Sequence, residues 1–229
     1  MKSLPQSFYE RDTTQVARDL LGKVLVVRSA PRYALDDPRA QVTAARIVET
    51  EAYHGTDPAS HCAKGETPRC AIMFGKPGVA YVYFIYGMYE MLNFVTERKG
   101  YPGAVLIRAV EPLHGNALMQ KRRVLLAGSQ WTNGPGRLCQ ALGIELIHNG
   151  QSLKGPELFV VEQGFEPEQV SVSPRVGISK GTEQYWRFFI TGNRFVGKSP
   201  LNKLAKPLLE SRLTRSVKSA KPGRSVSAA

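Results

Sequence analysis

The chain has 229 residues, 42% hydrophobic and 22% charged, ordinary proportions for a globular protein of one domain. A net charge of +12 and an isoelectric point near 9.8 are not ordinary, and they point to a polyanionic partner, most often nucleic acid. Cys62, Cys70 and Cys139 are an odd set without framework spacing, which argues against a disulfide scaffold. No apolar run approaches the ~18 residues of a membrane span, and MKSLPQSFYERD lacks the apolar core of a signal peptide, so neither membrane insertion nor secretion is expected.

The charge is uneven. Residues 198–229 carry eight basic side chains against the single acid Glu210, while the remainder is close to balanced. Apolar periodicity fades there as well. The expectation is a body at 1–197 and a basic, disordered tail at 198–229.

In chain order, Thr13–Gly22 reads as a short helix closed by glycine, and 23–28 (KVLVVR) as a strand. A Pro/Asp-rich loop at 29–40 leads to a strand over Gln41–Tyr53. Residues 54–78 have no period and seven Gly or Pro residues; a loop that long in a compact domain is usually functional. The run 79–97 reads as a hairpin turning near Tyr86-Gly87-Met88. Residues 103–112 form an apolar strand broken by Arg108, and Asn116–Ala127 a basic helix. TNGPGRLCQALGI (132–144) is a glycine-rich lead-in to a helix. Such a lead-in, with Gly136 and Arg137, can hold a DNA phosphate through backbone N–H groups, although it is not a P-loop. Late strands are expected at 157–163 and 187–196.

The chemistry concentrates in RIVETEAYHGTDPASH (46–61). Alternation along a strand puts Glu49, Glu51 and Tyr53 on one face. Unpaired buried carboxylates are costly, so these are wet, paired or kept for chemistry. Arg108, in the run AVLIRAV, needs a carboxylate or phosphate partner. If that partner is Glu51, the arginine keeps it ionised as a base. Tyr81, Tyr83, Tyr86 and Tyr89 crowd the hairpin, and a tyrosine at its tip is placed to stack on or wedge between bases. His54, His61, Cys62 and Cys70 are close in sequence but match no common zinc spacing. A zinc hydrolase and a non-catalytic nucleic-acid-binding module are the rival readings.

RIVETEAY, MFGKPG, YVYFIYGMYEMLN, GAVLIRAVEP, NGPGRLCQALGI and PRVGI, in this order, resemble the alkyladenine (3-methyladenine) DNA glycosylase family across residues 10–197. The resemblance implies a mixed α+β single domain. Its curved, mainly antiparallel, partly open barrel-like sheet is flanked by helices, and a protruding β-hairpin enters the DNA minor groove. It implies that Glu51 activates water with Arg108 as its partner. Tyr53, His61 and Tyr83 wall a pocket for a flipped base, with Asn93 obstructing the amino group of guanine and Leu106 as a supporting wall. Tyr86 is the wedge that fills the duplex. The implied activity is monofunctional excision of alkylated or deaminated purines from double-stranded DNA by a monomer, with no cofactor or metal. The implied location is the cytoplasm and nucleoid of a prokaryote or the nucleus of a eukaryote.

Overall fold

The structure, a computed structural model, describes residues 2–30, 33–85, 87–123 and 130–208. Its pivot is β2 (Val42–His54), whose β-branched and apolar residues are buried on both sides from Ile47 to Ala52. One edge of β2 pairs with β5 (Gly103–His114) along its length. The other edge is shared. Val42–Arg46 pair with β1 (Val24–Arg28), and Glu49–Glu51 pair with β8 (Arg187–Ile190).

The sheet runs β3-β4-β5-β2-β8-β7-β9, and β6 (Leu158–Val161) joins it through β1. Here β3 is Ala80–Ile85, β4 is Tyr89–Val95, β7 is Val170–Ser173 and β9 is Lys206–Pro207. Every pairing is antiparallel, and the sheet does not close: β3 and β9 are its ends. The fold is a single α+β domain, as the resemblance implies, with an open sheet and few helices.

Three register shifts interrupt the β2–β5 ladder, one between Ala44 and Ala45 and two beside the glutamates. The register steps from Ile47↔Val110 to Glu49↔Ala109 and then to Thr50↔Ile107, so Val48 and Arg108 each stand without a partner across the ladder. Bulges kink a strand and re-aim a side chain, and these two lie where the acidic pair meets the arginine.

The helices are short. After α1 (Gln6–Tyr9), α2 spans Thr13–Asp19, and its cap is Asp12, whose carboxylate accepts from the N–H groups of Thr14 and Gln15 at 2.9 and 3.0 Å. α3 is Asn116–Arg122, and α4, Pro135–Leu142, is opened by proline at its first turn. Val16 and Ala17 of α2, and Leu20 just past its end, share one core with Leu138 and Leu142 of α4 and with Ile47, Leu92, Phe94, Val105 and Ile107 of the sheet. Thr50, on the side of β2 opposite the glutamates, donates to the Ala17 carbonyl at 2.8 Å.

Several expected boundaries move. α2 ends three residues early because Gly22, at φ +88°, lets the chain reverse into β1. β8 ends at Ile190, and the expected continuation to 196 is a turn around Gly192. The last part of the expected helix 116–127 lies outside the described residues. β7 is a four-residue Val-Ser alternation that carries too little apolar signal to stand out. The expected body boundary at 197 falls too early: Pro200–Leu204 form a 3₁₀ turn and Lys206–Pro207 pair with β7. The remainder of the expected tail, 209–229, lies outside the described residues.

Tyr9 is fully buried against Phe8 and Phe94, and its hydroxyl has no partner among the described residues. An unpaired buried hydroxyl costs about 1–3 kcal/mol of desolvation. Tyr9→Phe is therefore expected to leave the urea midpoint unchanged or raise it, and a drop of more than about 1 kcal/mol would contradict this packing.

Candidate active site

Glu49 and Glu51 do share a face, and Arg108 lies between them. Its Nε–H donates to Glu49 Oε1 at 3.0 Å, and one Nη donates to Glu51 Oε2 at 3.3 Å. Both carboxylates are fully buried. Each has further donors. Glu49 accepts from Arg187 Nε at 2.7 Å and from the Gly197 N–H at 2.6 Å. Glu51 accepts from the Tyr53 hydroxyl at 2.7 Å and from the Val176 N–H at 2.7 Å. A carboxylate offers about four acceptor sites, so three donors leave Glu51 one. Burial lowers the pKa of Arg108, but the charges of Glu51 and Glu49 outweigh it and raise the net value, so the guanidinium stays charged. Burial, then the neighbouring Glu51 charge, raises the Tyr53 pKa, so its hydroxyl remains a donor.

In front of this cluster opens a cleft of about 290 Å³, near the lower end of the ~300–1,000 Å³ typical of small-molecule sites. Tyr53, His61, Tyr83, Asn93, Leu106 and Arg108 all line it. The sheet register explains the gathering: Asn93 lies opposite both Tyr81 and Leu106, and Leu106 opposite Glu51. Asn93 is fixed by donating Nδ2–H to the Tyr81 carbonyl at 3.2 Å. Tyr83 meets the His61 ring edge-on at 4.7 Å between centroids, and its phenol is pushed up to about 12, chiefly by burial. His61 Nδ1 lies 2.9 Å from the Tyr81 hydroxyl. The His61 pKa is lowered, first by burial and then by the Arg69 charge, so the neutral imidazole is favoured.

The other expected residues lie elsewhere. Tyr86 falls between β3 and β4 in the sequence and lies outside the described residues. Gly136 sits in the first turn of α4, where a Cβ would approach Tyr89 to 2.9 Å, so glycine permits α4 to pack on the hairpin. Arg137 is exposed and donates to Asn133 Oδ1 at 2.7 Å. The zinc grouping does not assemble. His54 packs its ring on Trp186, Cys62 and Cys70 direct their thiols to the Cys70 and Gly65 carbonyls, and no three metal-ligating side chains converge among the described residues.

The structure adds residues to which the sequence reading gave no role in the site. Arg175 is buried, and its guanidinium clamps Asp57, donates to the Ala52 carbonyl at 2.8 Å and lies 4.6 Å from the Tyr53 ring centroid. It thus fixes both the 174–178 loop, which supplies the Val176 N–H, and the wall that Tyr53 forms. Arg187 carries the signal that exposed Arg108, a cation in an apolar strand (RFFI), and it is the second guanidinium on Glu49. Tyr81 precedes Tyr83 by two positions on the same strand face, so alternation places it in the cleft.

Removing one partner of a buried ion pair leaves an uncompensated charge. Asp57→Asn is expected to destabilise the fold by about 3–5 kcal/mol in chemical denaturation, and a loss under about 1 kcal/mol would show that the pair is not buried in solution. A His pKa lowered on folding means that the folded state binds the proton less readily than the unfolded chain, so this contribution to stability is lost as pH falls through 6.5. NMR titration should give His61 a midpoint below 6.5, and a midpoint at or above that value would contradict the assignment.

With this geometry in place, the relationship to known proteins is clear. The sequence matches the methylpurine-DNA glycosylase (MPG) family over residues 7–194. A protein of Anaeromyxobacter dehalogenans strain 2CP-C is 48% identical over 200 residues, covering 85% of this chain and 86% of its own. One from Chlorobaculum tepidum is 43% identical over 216 residues, covering 92% of this chain and 100% of its own. One from Methanocella arvoryzae is 45% identical over 203 residues, covering 86% and 97%. All three carry, provisionally, the name 3-methyladenine DNA glycosylase. The chain belongs to the methylpurine-DNA glycosylase family.

Proposed function

We propose that this DNA glycosylase, a hydrolase of DNA repair, removes alkylated or deaminated purines from duplex DNA by flipping them into the cleft and hydrolysing the N-glycosidic bond at Glu51. The observation that carries this reading is the Glu51 carboxylate held by Tyr53, Arg108 and the Val176 N–H, three groups from residues that line the aromatic cleft, with one acceptor site remaining. The Arg108–Glu51 contact is the longest of the three, and a water inserted there is held by both groups. That water attacks C1′ of the deoxyribose as its proton passes to Glu51, and the bonding pair of the C1′–N bond leaves with the base. The sugar becomes oxocarbenium-like on the way, which the carboxylate stabilises.

The walls fit the ligand. A base must leave the stack to be reached, at a cost of a few kcal/mol that is smaller for damaged pairs. Stacking on Tyr53 and Tyr83 returns about 1–3 kcal/mol per ring. Cationic N-alkylated purines gain further from the ring faces and leave readily. A neutral lesion such as hypoxanthine needs a donor on the departing base, and His61 supplies it. Asn93 and Leu106 set the depth of the cleft, and Asn93 obstructs an exocyclic amino group. The hairpin enters the minor groove with Tyr86 as the wedge, while the first turn of α4 with Gly136 and Arg137 meets the phosphate backbone. The basic segment to 229 adds non-specific affinity through counterion release. Among the described residues no lysine lines the cleft, which supports excision that ends at an abasic site without strand cleavage. The mechanism needs one chain.

With a duplex bearing one hypoxanthine and with methylated DNA, base release should persist in chelator, and strand breaks should appear only after alkali. Glu51→Gln should retain lesion binding while single-turnover release falls by about 10²–10⁴-fold. Release at the wild-type rate by that variant would remove Glu51 from the chemistry.

A further inference from the structure

Arg175 is buried and does not line the cleft, yet it reaches two parts of the cleft wall. One part is its own loop, where the next three residues, Val176, Gly177 and Ile178, face the cleft. The other begins on β2 and continues into the loop after it, with Tyr53, Ala59 and His61. On β2 the guanidinium donates to the Ala52 carbonyl at 2.8 Å and lies 4.6 Å from the Tyr53 ring centroid. On the following loop it clamps Asp57, one Nη lying 2.9 Å from Oδ1. The same Oδ1 accepts from the Ala59 N–H at 3.0 Å, so the clamp also sets the turn that leads to His61. A further bond runs to the Gly181 carbonyl at 3.3 Å.

These contacts converge on Glu51. Its Oε1 accepts from the N–H of Val176, the neighbour of Arg175, at 2.7 Å. Its Oε2 accepts from the hydroxyl of Tyr53, whose ring lies against the guanidinium, at 2.7 Å. Two of the three donors that hold Glu51 therefore hang on a side chain that makes no hydrogen bond with Glu51 itself. A carboxylate held at both oxygens cannot turn about its last bond, and the direction of its remaining acceptor site is fixed.

We propose that Arg175, clamped by Asp57, is a positioning residue for the hydrolysis: through Tyr53 and the Val176 N–H it aims the Glu51 carboxylate at the attacking water. This rests on the reading of Glu51 as the group that activates water. A buried ion pair adds little net stability over apolar groups of similar volume, and what this one supplies is geometry. Its loss acts on the chemical step, where a misplacement of about 1 Å costs about 10²-fold, and not on recognition of the lesion.

The test uses two variants of the full chain. Arg175→Met combined with Asp57→Asn removes both charges together, while the new amide still accepts from the Ala59 N–H. Arg175→Lys keeps a cation against Asp57 without the planar fork. Each is compared with wild type in urea midpoint, single-turnover release of hypoxanthine, affinity for a duplex whose lesion sugar carries a 2′-fluoro group that resists cleavage, and amide exchange. The paired variant should release base about 10²-fold more slowly, and Arg175→Lys at least about tenfold, while affinity changes by no more than about threefold. The Val176 amide should exchange faster in both variants relative to the core amide of Ile107. Release at the wild-type rate by either folded variant, or equal losses of rate and affinity, would overturn the proposal. If the paired variant does not fold, Arg175→Lys decides by the same criteria. Wild-type protein that releases no base removes the glycosylase mechanism, and the Val176 amide still decides the clamp: exchange unchanged in the variants overturns it.

Discussion

The whole site depends on how Arg108 is held. Its two carboxylate partners lie on one strand, and both are removed from water, as is most of the guanidinium. Charges in such a place are tolerable only when every one is matched and hydrogen-bonded. The fold meets that condition with pieces far apart in sequence: Arg187 and the Gly197 N–H on Glu49, and Tyr53 and the Val176 N–H on Glu51. Arg187 is in turn secured by the Ser173 hydroxyl at 3.1 Å and Asn202 Oδ1 at 2.8 Å. The divided edge of β2 makes this convergence possible. Its first half is covered by β1 and its second by β8, so the arginine-bearing strand arrives beside the glutamates only.

The same constraint separates the two glutamates chemically. Glu49 lies between two guanidiniums and a backbone N–H, which fits a carboxylate that anchors. Glu51 shares one guanidinium, with a phenol and a backbone N–H. It is the carboxylate nearer the aromatic cleft. Residue type does not distinguish them; the number of cations around each does.

Much of this was legible in the sequence, for particular reasons. Two acids and a tyrosine alternate along β2, and that period is local, so it survives as a prediction. Arg108 stood out because a lone cation in an apolar strand demands a partner. The hairpin and its tyrosines followed from β-branched runs meeting at a glycine. What was not legible depends on pairing across the chain. The bulges at Val48 and Arg108 exist only in the register between two strands. The clamp of Arg175 on Asp57 joins positions more than a hundred residues apart, and neither has a local signature. β7 and β9 are strands because the edge beside β8 was open, not because their sequences insist on it. Excess lysine and arginine after 198 suggested a tail, but hydrogen bonding retained its first residues in the sheet.

That retention has a consequence for how the charges behind the cleft are secured. Asn202, twelve residues past the end of β8, steadies Arg187, which steadies Glu49, which steadies Arg108. A segment that contributes almost nothing to the apolar core thus reaches the chemistry through three successive polar contacts. A variant unable to make the first of them would keep its pocket while loosening the charge arrangement behind it.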